Sequence, residues 1–391
     1  METLDSGDKL ALLGQAARHD ICGGASFKLR RRPKRSRKVP PGLYPAVLPN
    51  GRMACLFKVL LTNACANDCA YCSNRLGGSG REASFRPDEL ARTFMDLHRR
   101  GLAHGLFLSS GIPDKPDTVM QRMTDTLEIL RTRHAYRGYI HVKVLPGASR
   151  AAVEKACRMA NRASVNLEFP NPERLSSASR SKDFDGDLLT RLSWLGEIHR
   201  GGLLGGGLTT QFVVGASGES DAEIISTLSE LYRRHSLRRA YFSSFNPLPG
   251  TPWEDKPPAS SLREHRLYQA DFLHRLYGFA LEEIPLDEAG CLRQDRDPKM
   301  AWALAHTEYF PVEVNQADEA SLLRVPGIGV VSAPRIISAC RQKKMRDTQQ
   351  LRKLGVVVSR AAPFILLDGR RPPQHTLPPP QPHQLVLWES A

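Results

Sequence analysis

Residues 61–75 read LTNACANDCAYCSNR, and the fold is decided by how these residues can be arranged. Cys65, Cys69 and Cys72 stand in a Cys-x3-Cys-x2-Cys spacing, with Tyr71 directly before the last thiol. Three thiols within eight residues are read as a loop wrapped around a single inorganic centre. The run before them, ACLFKVLL at residues 54–61, is apolar enough for a buried strand, so the loop leaves a strand's carboxyl end. Three readings of the loop stand side by side. A structural zinc site takes four ligands, usually in paired Cys-x-x-Cys units. Here no fourth cysteine is near, and His98 and His104 lie too far along for a compact knuckle. A [4Fe–4S] cluster normally takes four thiolates; with three, one iron keeps an open position, as catalytic centres do. The plain alternative is three unrelated cysteines.

Beyond the loop, 391 residues allow one large and one small domain. An apolar content of 41% supports a sizeable core. No run of eighteen apolar residues occurs, and METLDSGDKL lacks a signal-peptide core, so a membrane span is excluded and a cytoplasmic location expected. Reduced thiols follow from that location. The remaining cysteines (Cys22, Cys55, Cys157, Cys291 and Cys340) are scattered and read as small buried hydrophobes. A net charge of +14 points to a polyanionic partner. A solvated Arg-rich surface accounts for the same number.

Residues 1–50 read as a short helix, Lys9 to Arg18, followed by a mobile basic extension from Lys28 to Lys38. From residue 51 to 256 strands and helices alternate. Strands are expected at 54–61, 105–109, 138–144, 163–168, 208–214 and 239–245. Helices are expected at 87–100, 117–133, 149–161, about 187–199 and 219–235. Six such units are fewer than a closed eight-stranded barrel needs, so an α/β fold with a partial (βα)6 TIM-like barrel is predicted. Ligands of such folds bind at the carboxyl ends of the strands, where the cysteine loop sits. Ser109, Ser110 and Gly111 end the second strand. Glu168, two residues after Asn166, ends the fourth and suits ribose hydroxyls, an ammonium group or a neighbouring arginine. Lys143 reads as an outward, solvated lysine, with a carboxylate partner as the alternative.

Residues 257–310 form a helical connector, with an amphipathic helix over 261–277. A small all-α domain follows at 311–370. It carries a helix at 318–324, a tight Pro326–Gly327–Ile328–Gly329 turn and a second helix at 331–341. The glycines leave N–H groups of Gly327, Ile328 and Gly329 exposed where a phosphate is favoured, and Lys343 and Lys344 follow. This stretch resembles the helix-hairpin-helix module of DNA repair and uptake proteins. A degenerate second copy at 351–367 lacks the second glycine and reads as packing support. The Pro-rich tail, 371–391, ends in Gln384–Trp388, which resembles a sliding-clamp-binding peptide.

Taken together, the KVLLTNACANDCAYCSNR core, GLYPAVLPNGR and the FPVEVN-to-PGIG junction resemble one family. It comprises the DNA modification or repair radical S-adenosylmethionine proteins found beside uracil-DNA-glycosylase-like partners. The resemblance covers roughly residues 40–370 and departs near Cys22. It implies a [4Fe–4S] cluster on Cys65, Cys69 and Cys72, whose open iron takes the amino and carboxylate groups of S-adenosylmethionine. It assigns the Ser109–Ser110–Gly111 turn to the amino group of the cofactor's methionyl moiety, and counts Tyr71, the aromatic of the signature loop, and Glu168 among the cofactor-binding residues. Gln211, Val213 and Gly215 are assigned to adenine, and residues 246–251 to the superfamily's end loop. The implied activity is a 5′-deoxyadenosyl radical acting on DNA, with an electron donor such as flavodoxin or ferredoxin. An RNA-modifying member of the superfamily, and a DNA-bound iron–sulfur protein without turnover, are the rival readings.

Overall fold

The computed structural model describes residues 4–17, 40–47, 53–78 and 80–373. The expected basic extension, Cys22 and the Gln384–Trp388 peptide lie outside the described residues. The chain divides into two compact units, Met1–Glu219 with Glu230–Ala259, and Ser220–Ser229 with Ser260–Ala391.

Helix α1 (Ser6–Ala16) opens the first unit and is tied to α2 (Pro87–Arg99) by a 2.8 Å ion pair between Lys9 and Glu89. A seven-stranded sheet follows in strict chain order. It runs through β1 (Leu43–Val47), β2 (Met53–Leu60), β3 (Gly105–Ser109), β4 (Tyr139–Lys143), β5 (Arg162–Ser164), β6 (Leu208–Val214) and β7 (Leu237–Ser244). β1 pairs antiparallel with β2, and each later pair is parallel. Parallel neighbours need crossovers. These are α2, α3 (Pro116–Thr132), α4 (Arg150–Met159), then α5 (Pro172–Ala178) with α6 (Thr190–Arg200), and finally α7 (Asp221–Arg234). The result is a curled half-barrel sheet with six parallel strands, as the alternation of the sequence required.

Side-chain alternation separates the two faces. Phe57 of β2 stacks on Phe94 of α2 with ring centres 6.3 Å apart, and Val119, Met123, Leu127 and Leu130 of α3 are buried. Other strand residues form a polar layer: the His141 ring meets Phe107 edge-on at 4.4 Å, and its Nε2 lies 3.0 Å from Ser164 Oγ. Burial, then the charges of Arg162, Lys143 and Lys58, hold the His141 imidazole well below its ordinary pKa, so it is neutral.

Two features depart from the alternation read in the sequence. β1 lies within residues 1–50, where no strand was expected. It is an edge strand, the position in which Pro45 costs no ladder hydrogen bond. The fourth parallel strand stops at Ser164 rather than running to residue 168. Beyond it the chain leaves the ladder and returns at Glu168, which bridges Phe212 with φ +66°.

The second unit holds α8 (Ser261–Tyr277), α9 (Pro298–Ala305), α10 (Glu319–Arg324), α11 (Ser332–Gln342), α12 (Thr348–Lys353) and α13 (Val358–Ala361). A two-residue parallel ladder joins β8 (Val312–Glu313) to β9 (Ile365–Leu366). Trp302 is buried at its centre, stacked on His306 at 4.4 Å, with the Arg324 guanidinium 4.6 Å from its ring centre. The turn between α10 and α11 is closed by its neighbours. Gly327, at φ +85°, accepts a 2.9 Å hydrogen bond from Val357 N–H, and a Cβ there would stand 2.5 Å from Val357 O.

Candidate active site

The cysteine loop leaves β2 and is pinned along its first half by the segment that follows β3. Leu61 N–H donates to Ser109 O at 2.8 Å, Gly111 N–H to Thr62 O at 2.7 Å, and Ala66 N–H to Ile112 O at 2.7 Å. Such close approach requires a glycine at 111, where an added Cβ would lie 2.3 Å from Ala64 O. Gly111 therefore packs on the loop's backbone as well as lining the cavity.

The second half is held from another direction. Asp68 accepts hydrogen bonds from Ser179 Oγ at 2.6 Å, Ser181 Oγ at 2.8 Å, Arg180 N–H at 3.1 Å and Ser181 N–H at 3.2 Å. Ala70 N–H adds a 2.8 Å bond to Ala178 O. Burial alone would raise the Asp68 carboxyl, but the Ser179 and Ser181 hydroxyls and the two N–H groups outweigh it and hold its pKa well below the usual carboxylate range. Aromatic rings cover the remaining side. Tyr71 lies 5.6 Å from Phe169 and 6.2 Å from Trp253, and Lys256 Nζ sits 3.6 Å above the Trp253 ring.

These supports bring Cys65, Cys69 and Cys72 together at the mouth of a cavity of about 250 Å³ at the carboxyl ends of the strands. Its walls include Tyr71, Ser109, Ser110, Gly111, Asn166, Glu168, Gln211 and Val213, with Asn246 and Leu248 from the segment after β7. Most of the cofactor-side residues read from the sequence thus gather at one place, whereas Gly215 and most of residues 246–251 do not line it. Lys143 lines the same cavity, which corrects the expectation of an outward lysine. The parity of β4 explains it, since Lys143 shares the face of His141. Glu168 is buried and held in the left-handed region by Gln211 O, which accepts from its N–H at 2.9 Å, and by Val213 N–H, which donates to its carbonyl at 2.7 Å. A non-glycine in this conformation marks a position where the carboxylate's direction matters more than local strain.

The donor set suits an iron–sulfur cluster and a zwitterionic cofactor. Three thiols share one opening with a carboxylate, amides and hydroxyls. Ser110 Oγ is buried there with no hydrogen-bond partner among the described residues, which is the condition of an atom awaiting a polar ligand. Burial, then the adjacent Cys69, pushes the Cys72 thiol up to about 11, so metal uptake there must displace a proton. Burial, then Glu168, raises the Tyr71 phenol well above its ordinary value.

Lys182 is a charged lining residue that the sequence did not reveal. Burial by itself would lower its pKa, but the neighbouring Cys69 and Glu168 outweigh that and raise it. It follows α5 and precedes an irregular π-helical turn at Phe184–Leu189, where no periodic pattern points to it.

The turn Gly327–Gly329 belongs to the second unit. Its N–H groups are engaged within the fold: Ile328 donates to Val325 O at 3.2 Å, Gly329 to Ser332 Oγ at 2.8 Å, and Val330 bonds the Tyr277 hydroxyl. The expected open donors are therefore absent at Ile328 and Gly329. Lys343 and Lys344 are exposed, and Lys344 pairs with Asp368 at 3.2 Å.

Residues 59–231 match the family model described as the Radical SAM superfamily. Among solved structures, the FeFe-hydrogenase maturase HydG from Carboxydothermus hydrogenoformans is similar at 14% identity and TM-score 0.45, over 56% of this chain and 50% of that one. Methylornithine synthase (PylB) is similar at 18% identity and TM-score 0.45, over 56% and 63% of the two chains. The radical S-adenosylmethionine methyltransferase TsrM from Kitasatospora setae is similar at 17% identity and TM-score 0.40, over 54% and 39%. The chain thus spans about half the length of such proteins. No curated protein matches it. Residues 59–231 thus match a superfamily whose enzymes use a [4Fe–4S] cluster and S-adenosylmethionine.

Proposed function

We propose that this chain is a radical S-adenosylmethionine enzyme acting on DNA, with Cys65, Cys69 and Cys72 as the cluster ligands. The observation that carries the enzymatic part is the convergence of the three thiols with the unsatisfied Ser110 hydroxyl and the Glu168 carboxylate on one cavity. When bound, cluster and cofactor supply a one-electron reductive cleavage of the sulfonium and, with it, hydrogen-atom abstraction. The chain's own residues orient and shield. Ser110 Oγ and Glu168 are suited to the cofactor's amino group and hydroxyls. Val213 and Leu248 offer apolar walls to its adenine. The ring group of Tyr71, Phe169 and Trp253 keeps water from the loop.

The DNA reading rests on the net charge of +14 and on the helix-hairpin-helix pattern at 318–341. Since the amides of Ile328 and Gly329 are engaged, phosphate contact falls to exposed cations. Arg335, Arg341 and Lys343 are exposed and make no ion pair among the described residues. A target base in a duplex would have to be extruded, at a cost of a few kcal/mol. The family's uracil-DNA-glycosylase-like partner, a sliding clamp and a flavodoxin- or ferredoxin-type electron donor extend this proposal.

The test is 5′-deoxyadenosine release by anaerobically reconstituted protein with dithionite. Cys69→Ala should abolish release, and unchanged release would refute the site. Nucleosides from cells with and without the gene, compared by mass spectrometry, separate a DNA target from an RNA target.

A further inference from the structure

The staple on Asp68 does more than brace the cysteine loop, because it ends one residue before Lys182. Ser179, Arg180 and Ser181 all donate to Asp68, and Ser181 Oγ also accepts from Asp68 N–H at 3.3 Å. On its other side Lys182 is followed by Asp183, whose side chain caps the π-helical turn and whose N–H donates to Asp187 Oδ2 at 2.9 Å. The backbone of Lys182 is thus held from both directions, with one end fixed to the loop that carries the thiols. π-Helical turns of this kind recur at functional sites. From that position the side chain enters the cavity lined by Cys69, Cys72 and Glu168. Three thiolates in one loop concentrate negative charge, and the charge near a cluster and the hydrogen bonds to its sulfurs set its reduction potential.

We propose that Lys182 is the charge-compensating residue of the cluster, its ammonium placed by the Asp68 staple beside the Cys69 sulfur so that the reduced state is stabilised. The inference rests on the proposed function, since it requires a cluster on the three cysteines. Reduction is the uptake of one electron from an external reductant, dithionite in the assay, with no bond made or broken. A fixed positive charge next to the added electron shifts that equilibrium toward the reduced form.

The experiment is a potentiometric titration of reconstituted full-length protein, followed by the electron paramagnetic resonance signal of the reduced cluster, with iron content measured in parallel. Lys182→Met should titrate at a more negative potential than wild type with the same iron content, and Lys182→Arg should match wild type. Should Lys182→Met take up no iron, Lys182→Gln and Lys182→Arg decide. Iron in the arginine variant alone supports charge compensation; iron in none of the three means that shape, not charge, is required, and overturns it. Equal potentials for wild type and a neutral variant also overturn it. Iron-free wild type would instead remove the proposed function, and this inference with it, so the two failures are distinguishable.

Discussion

Gly111→Ala is the sharpest test of how the cysteine loop is held. The new methyl carbon would lie 2.3 Å from Ala64 O, 3.1 Å from Ala64 C and 3.2 Å from Thr62 O. All three are backbone atoms of the loop, so no side chain can swing aside. Restoring ordinary contact requires the segment after β3 to back away by about 1 Å. That movement strains the hydrogen bonds from Gly111 N–H to Thr62 O and from Ala66 N–H to Ile112 O, each 2.7 Å long. Two such bonds are worth about 2 kcal/mol. Overpacking adds about 1–3 kcal/mol, and the stiffer unfolded chain returns roughly 0.4–1 kcal/mol. The net loss is about 2–4 kcal/mol. In a unit of this size it lowers the melting temperature by roughly 4–16 °C. Urea denaturation and iron content after reconstitution measure the two consequences. Gly205→Ala is the control, because nothing stands within 4 Å of its added Cβ. The reasoning fails if Gly111→Ala unfolds within about 0.5 kcal/mol of wild type and takes up a full complement of iron.

Other expectations follow from the same contacts. Asp68→Asn should weaken the staple. Because the Asp68 carboxyl is held below its ordinary value, its contribution is complete at neutral pH and fades as pH falls below about 4; urea midpoints of wild type and variant should therefore converge in acid. Lys299 is buried, donates to Ile328 O at 2.5 Å, and is held well below its ordinary pKa by burial and then by Arg360. The unfolded chain binds that proton more readily, so wild type should gain stability relative to Lys299→Met as pH rises from 7 toward about 10. A difference that stays flat with pH would show the amine to be charged when folded. Gly327→Ala, with its left-handed backbone and a Cβ 2.5 Å from Val357 O, should cost about 2–4 kcal/mol of second-unit stability. For nucleic acid, Arg341→Glu with Lys343→Glu should flatten the dependence of log K on log salt by about 0.9 per lost phosphate contact; an unchanged slope places the contacts elsewhere.

Much of the first unit was legible because its strands are short apolar runs separated by capped helices, a pattern that survives without tertiary information. The cysteine spacing carried the site for a similar reason: three ligands in one loop are local in sequence. Local signals could not reveal groups that meet across long separations. Lys182 stands in an irregular turn and acquires meaning only when Asp68 fixes Ser179 and Ser181. Lys143 was misjudged because a lysine in a strand usually faces water, whereas this half-barrel has a polar inner face. The turn at Gly327 and Gly329 was recognisable as a turn, but the spending of its amides depends on Ser332 and Tyr277, and the latter is some fifty residues upstream. Edge strand β1 was hidden by the basic segment before it and by Pro45.

The strict chain order of the sheet has a consequence for how the protein is made. Each strand pairs with the one synthesised just before it, so the half-barrel can grow as the chain emerges from the ribosome. The anchors at Ser109 and Ile112 arrive within about fifty residues of the thiols. The Asp68 partner Ser179 comes 111 residues after it. At ~5–20 residues per second that is a gap of roughly 6–22 s, during which Cys69 and Cys72 sit on a nascent peptide clasped along one side only. Metallation and oxidative damage compete in that window, so the yield of loaded protein should respond to translation speed and to oxygen during synthesis more than to either one afterwards.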